Sequence, residues 1–162
     1  MKQMDDSLEI GNTMFRSRLF VGTGKYPNNK TMVEAIKASE TAMVTVAVRR
    51  IDLDRTKEEG ILFHLDPEEF FLLPNTAGCH NVKDALRYAN LGRAAGFSEW
   101  IKLEVIGDET TLLPDTKATI EAAEILVAEG FKVMAYTNDD LITALRLEDV
   151  GCVAVMPLAS PI

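Results

Sequence analysis

Lys102 and Glu104 are the two residues whose types and spacing point most directly to chemistry. They sit in Trp100-Ile101-Lys102-Leu103-Glu104-Val105, a stretch bounded by Gly96 and Gly107 that reads as a short buried strand. Successive side chains on a strand point to opposite faces, so Lys102 and Glu104 share one face and Ile101, Leu103 and Val105 share the other. Two ionisable groups on a covered face are costly unless they are paired or functional. An interior lysine gives up its proton more readily than a solvated one. A neutral amine attacks a carbonyl to form a Schiff base, and a carboxylate two residues on is placed to move the protons. The same pattern also reads as a structural ion pair, or as a register in which both residues face solvent.

The other candidates cluster by position. In parallel α/β architectures, whether doubly wound sheets or barrels, functional groups gather at the carboxyl ends of the strands. There the sequence puts Gly22-Thr23-Gly24-Lys25, then Arg49 and Arg50, then Asn75 and Thr76, then Tyr136 and Pro157. Arg50, Asn75, Thr76 and Tyr136 are the candidate substrate-binding residues. Lys25, Arg49, Arg50 and Lys102 gather cations at one end of an acidic protein, which suits a small anionic substrate such as a sugar phosphate. The plainer reading makes the loop cations solvated surface charges. Gly22 to Lys25 lacks the GxxxxGK[ST] spacing and reads as a tight turn into a helix. His64 and His80 have no partner near in sequence and read as surface residues. Cys79 lies beside the mouth without an evident base, and Cys152 opens an apolar strand.

These residues need a scaffold, and the pattern supplies one. Leu8 to Ile10, Gly11-Asn12, and Met14-Phe15 predict a small N-terminal hairpin. Apolar runs predict strands at 19–21, 43–48, 70–73 (stopped by Pro74-Asn75), 101–105, 131–135 and 152–156. Helices between them are predicted from inward faces at Met32, Ala35, Ile36 and Ser39; at Val82, Ala85, Leu86 and Ala89; at Ala118, Ala122, Ile125 and Leu126; and at Leu141, Ala144 and Leu145. Asp115 reads as one helix cap and Asn138 or Asp139 as another. Residues 52–69 read as a helical turn and loop, and 157–162 as loop. Strands alternating with helices imply parallel βαβ units. The expectation is an α/β fold, either an open doubly wound sheet or a (β/α)8 TIM barrel. At the observed pace eight units need about 216 residues or more, so a barrel would show only about its first six units here. The domain expected is a single barrel domain over 1–162, incomplete at its C-terminus.

Composition narrows the classes. The chain has 162 residues, 47% hydrophobic and 26% charged, enough for one cored domain. A net charge of −8 argues against nucleic acid or an anionic membrane as the main partner. Two cysteines and two histidines, with no CxxC or Cys/His spacing, predict no metal site. Met1 to Glu9 has no apolar core, and no apolar run approaches the ~20 residues of a membrane span. A cytoplasmic protein with reduced thiols is expected.

Six stretches, in order, resemble one family. They are Ser17-Arg18-Leu19-Phe20-Val21-Gly22-Thr23-Gly24-Lys25-Tyr26, Ala47-Val48-Arg49-Arg50, Leu72-Leu73-Pro74-Asn75-Thr76-Ala77-Gly78, Ile101-Lys102-Leu103-Glu104-Val105-Ile106-Gly107, Leu112-Leu113-Pro114-Asp115, and Val155-Met156-Pro157-Leu158. Together they resemble bacterial thiazole synthase, the large subunit, of thiamin biosynthesis. The resemblance implies a (β/α)8 barrel that condenses 1-deoxy-D-xylulose 5-phosphate with dehydroglycine. Sulfur comes from the C-terminal thiocarboxylate of a sulfur-carrier protein, and the product is a thiazole phosphate. It further implies that Lys102 forms the imine and Glu104 acts as acid and base, with no metal or organic cofactor and a homo-oligomeric assembly. Thr116 departs from a frequent proline and Ala159 from a frequent glycine. The family's phosphate loop and a later aspartate would follow Ile162. Two other readings stand beside this one: an inactive barrel fragment serving as an assembly partner, and another Schiff-base lyase of sugar phosphates.

Overall fold

The structure, a computed structural model, describes residues 7–160. The polar stretch 1–6 and the end of the C-terminal loop, 161–162, lie outside the described residues. The chain groups into two compact units, Met1–Val46 with Ile51–Leu73, and Ala47–Arg50 with Pro74–Ile162.

In the first unit, β1 (Leu8–Ile10) and β2 (Thr13–Phe15) pair antiparallel as a separate two-stranded sheet. Gly11 and Asn12 both have positive φ, 52° and 61°, as a two-residue hairpin turn whose twist matches its strands requires. The hairpin buries Phe15, whose ring meets Phe71 edge-on with centroids 5.2 Å apart. β3 (Phe20–Gly22) pairs in parallel with β4 (Met43–Ala47), joined by α1 (Asn29–Ala38). The Asn28 side chain caps α1 by accepting from the Thr31 N–H at 2.8 Å, and the helix buries Met32 and Ile36. The Phe71 N–H donates to the Ala42 carbonyl at 3.1 Å and brings in β5 (Phe71–Asn75).

The second unit holds the end of β5, then α2 (Val82–Ala94), β6 (Trp100–Leu103), α3 (Thr116–Ala128), β7 (Lys132–Thr137), α4 (Leu141–Asp149) and β8 (Ala154–Pro157). Its strands pair in parallel in chain order. The core lies between the sheet and α2 and α3. Ile101, Leu103, Val105, Val133 and Ala135 pack there against Ala85, Ala89, Ala122, Ala123 and Leu126. Small helix residues let the helices approach the strands closely. Parallel strands alternating with helices are the layout of successive units of a (β/α)8 barrel, in the α/β class. Among the described residues no helix is long and apolar enough to cross a membrane.

Four local expectations are corrected. Pro74 does not stop its strand, because β5 runs on through Asn75. The Thr76 N–H donates to the Lys102 carbonyl, so two-residue alternation aims the amide position of residue 74 toward β6 as well. Proline has no N–H to offer there, and the β5–β6 register is Asn75↔Lys102. Asp140, not Asn138 or Asp139, caps α4, accepting from the Ile142 and Thr143 N–H groups. In α3, Thr119, Ala122, Ala123 and Leu126 form the buried face, while Ile125 is exposed. In α4, Thr143 and Leu147 are buried, and Leu141 and Leu145 face solvent. The Asp140 carboxylate accepts from the Thr143 hydroxyl at 2.6 Å, which fixes that turn and carries Leu141 outward.

Helix α3 offers a direct check on its orientation. Leu126→Ala should lower stability by about 3 kcal/mol through a core cavity, and Ile125→Ala by less than about 0.5 kcal/mol. Urea denaturation of both variants measures the difference. Equal losses would contradict the observed face.

Candidate active site

The second unit presents Lys102 and Glu104 by the alternation of β6. Ile101, Leu103 and Val105 are fully buried in the helix-side core, so Lys102 and Glu104 face the other way. The Lys102 ammonium lies 3.0 Å from Glu104 Oε1, with 22% and 14% of the two side chains exposed. Each charge offsets much of the cost of partly burying the other. On the same face, the Tyr136 ring of β7 lies 5.7 Å from Lys102 Nζ.

Glu104 lies one residue past β6, and a side chain holds it there. The Thr76 hydroxyl accepts from the Glu104 N–H at 2.8 Å and donates to the Glu104 carbonyl at 2.8 Å. Thr76 is fully buried, and its own N–H donates to Lys102 C=O at 3.2 Å. Asn75 is also buried, and its Oδ1 accepts from the Ala77 N–H. The loop then turns at Gly78, with φ +80°. A Cβ there would be 3.2 Å from Arg49 Nη1, and that guanidinium donates to the Gly78 carbonyl. Arg49 and Arg50 occupy a single 3-10 turn after β4, Val48–Arg50.

These groups surround a cavity of about 410 Å³. Arg49, Arg50, Lys102, Glu104 and Tyr136 line it, and Asn75 and Thr76 do not. Ile106, Glu109 and Leu112 close one side from the loop between β6 and α3. An isolated Ile106↔Pro114 bridge and the Gly107 N–H donating to Leu113 C=O at 2.8 Å draw that loop together. The Tyr136 hydroxyl ties it to β7 by donating to the Leu112 carbonyl at 3.1 Å. Burial, and secondarily the Glu104 charge, push the Tyr136 phenol above its usual pKa, so it stays a donor at neutral pH.

His80 also lines the cavity, its Nε2 3.4 Å from Glu109 Oε1, where the sequence places it at the surface. Carrying the strand-end survey past Thr76 to the start of α2 would have included it. His64 stays outside, against the Glu58 carbonyl at 2.8 Å. Cys79 is buried, and its thiol is pushed up to about 11, chiefly by burial. Cys152 is pushed up to about 11 by burial alone. Among the described residues no group of three or more His, Cys, Asp or Glu side chains is placed to hold a metal ion.

Two outcomes follow from this geometry. Thr76→Val keeps the shape but leaves both backbone groups of Glu104 unpaired, and should cost about 2 kcal/mol in urea denaturation, with Thr76→Ser recovering most of it. A Thr76→Val variant as stable as the parent would contradict the bridging role. The cysteines set an alkaline limit. Unfolded thiols ionise near 9.0 and folded ones near about 11, so between these values the folded state holds more protons and stability falls as pH rises. Replacing both cysteines by alanine should flatten that slope in melts at pH 8 to 11.

A family profile described as thiazole biosynthesis protein ThiG matches residues 9–162. The thiazole synthase of Thermodesulfovibrio yellowstonii is 56% identical over 159 residues, covering 98% of this chain and 62% of that protein. The thiazole synthase of Solibacter usitatus is 55% identical over 160 residues, covering 98% and 61%. The chain thus spans about 62% of the length of these relatives. Among solved structures, the Amycolatopsis orientalis BexX/CysO complex matches with a TM-score of 0.76 at 30% identity, over 91% of this chain and 60% of that one.

Proposed function

Since the chain belongs to the ThiG family of thiazole biosynthesis proteins, we propose that it acts as a thiazole synthase with Lys102 as its imine-forming residue. The observation that carries this reading is the Lys102–Glu104 contact of 3.0 Å, facing a cavity lined by two arginines. The substrate is 1-deoxy-D-xylulose 5-phosphate. Arg49 and Arg50 supply guanidinium groups suited to its anionic end.

Glu104 takes a proton from the Lys102 ammonium across that contact. The free amine attacks the ketose carbonyl, a carbon–nitrogen bond forms, and Glu104 delivers the proton to the carbonyl oxygen. The nitrogen returns one proton to Glu104. The carbinolamine then loses water and leaves a carbon–nitrogen double bond on Lys102. Dehydroglycine and the sulfur of a carrier-protein thiocarboxylate complete the ring. A protein partner is supported by the likeness to a chain of the BexX/CysO complex. Tyr136, with its phenol protonated, holds the wall through its hydrogen bond to the Leu112 carbonyl and presents its ring to Lys102. The burial of Asn75 and Thr76 supports a role beneath the site, holding the strand end in place.

Borohydride trapping with the ketose phosphate, followed by peptide mass mapping, tests the assignment. The adduct should fall on Lys102 and vanish in Lys102→Ala. An adduct that survives in Lys102→Ala would sink the imine assignment. Glu104→Gln should slow trapping by about 10²-fold or more, the range of a positioned acid–base group, with the fold retained.

A further inference from the structure

We propose that His80 is the proton donor that expels water from the carbinolamine on Lys102; this rests on the imine reading above. Two contacts set its chemistry. His80 Nδ1 lies 3.2 Å from the Ile106 carbonyl. A carbonyl oxygen only accepts, so Nδ1 carries a hydrogen in every protonation state compatible with that bond. Proton exchange is thereby confined to Nε2, which lies 3.4 Å from Glu109 Oε1. His80 and Glu109 line the same cavity as Lys102.

The ring is held from both sides of its backbone. Cys79 C=O accepts from the Ile106 N–H at 2.8 Å, so residues 79–80 and Ile106 grip each other in both directions. Asn81 follows at once as the cap of α2, its side chain accepting from the Asp84 N–H. The imidazole therefore sits on a braced segment, with Nε2 beside Glu109 on the wall of the cavity.

A second proton donor has a defined task. Glu104, 3.0 Å from the Lys102 ammonium in the free site, has by then taken its proton back from the nitrogen, and His80 is a second acid on the same cavity wall. In the dehydration step the His80 imidazolium gives its Nε2 proton to the carbinolamine hydroxyl. The carbon–oxygen bond breaks, water leaves, and the nitrogen lone pair becomes the second bond of a cationic iminium. His80 is left neutral, so the positive charge has passed from imidazolium to iminium. Charge and atoms balance without another reactant. The charged groups that share the cavity with His80 are Arg49, Arg50, Lys102, Glu104 and Glu109, with the Tyr136 phenol beside them. Cys79 precedes it in the chain, and Asp84 lies in the first turn of α2 and acts on the Cys79 thiol.

The test times borohydride trapping with 1-deoxy-D-xylulose 5-phosphate across pH, in the parent and in His80→Asn. Asparagine keeps an N–H for the Ile106 carbonyl and removes the acid at Nε2. The variant should trap at least ten-fold more slowly and recover with added imidazole. The parent rate should fall as pH rises in a limb that the variant lacks, because the acid form is the donor. A variant with the parent's rate and profile overturns the role of His80 while leaving Lys102 as the imine residue. So does a slow variant that imidazole does not restore and that keeps the limb. A parent that forms no adduct overturns the imine reading itself. Nitrogen NMR of the parent gives a check without turnover: neutral His80 should carry its proton on Nδ1, and an Nε2–H tautomer would refute the assignment.

Discussion

A strand cannot show Lys102 and Glu104 to one side without showing Ile101, Leu103 and Val105 to the other. That constraint sets most of the second unit. The three apolar residues are fully buried against α2 and α3, and this fixes the register and roll of β6. Sliding the strand by one residue would put an ammonium and a carboxylate into an apolar core, at a cost no local contact there would offset. The helix core thus aims Lys102 and Glu104 from the opposite side of the strand. The 3.0 Å contact between lysine and glutamate is the product of that aim.

The backbone beneath the pair departs from a regular ladder. Pro74 has no amide for β6, and Thr76 supplies a hydroxyl where the ladder would continue. Glu104 is therefore held by a side chain that both donates and accepts, past the last residue of β6. The next residues use the freedom this gives. Gly78 turns with positive φ, and the absence of a Cβ lets the Arg49 guanidinium reach its carbonyl. Cys79 and His80 then engage Ile106. One short segment after β5 thus braces Glu104, Arg49 and the loop that bears Glu109.

Features encoded within one element were legible in the sequence. The parallel strand–helix alternation followed from apolar runs and caps such as Asp115, which accepts from the Ala118 N–H. The shared face of Lys102 and Glu104 followed from two-residue periodicity. Features that need a partner were not. Whether Pro74 ends a strand depends on which neighbour its amide position faces, and that is a property of the sheet. The roll of α4 was ambiguous because Leu141, Ile142, Leu145 and Leu147 surround the helix, and the Asp140 cap with Thr143 selects one face. His80 and Glu109 come from separate loops and meet only when Ile106 folds back. No spacing rule joins them.

The ion pair also has an electrostatic consequence for encounter with a ligand. A lysine and a glutamate 3.0 Å apart nearly cancel at a distance, so the pair projects little net field. The 162 residues carry a net charge of −8, which disfavours anions at long range. The other cations on the cavity wall are Arg49 and Arg50, set against the carboxylate of Glu109, and their field reaches only about 8–10 Å at physiological ionic strength. Any attraction of an anion to this cavity is therefore short-range and arises from the guanidinium groups on its wall, not from the Lys102–Glu104 pair.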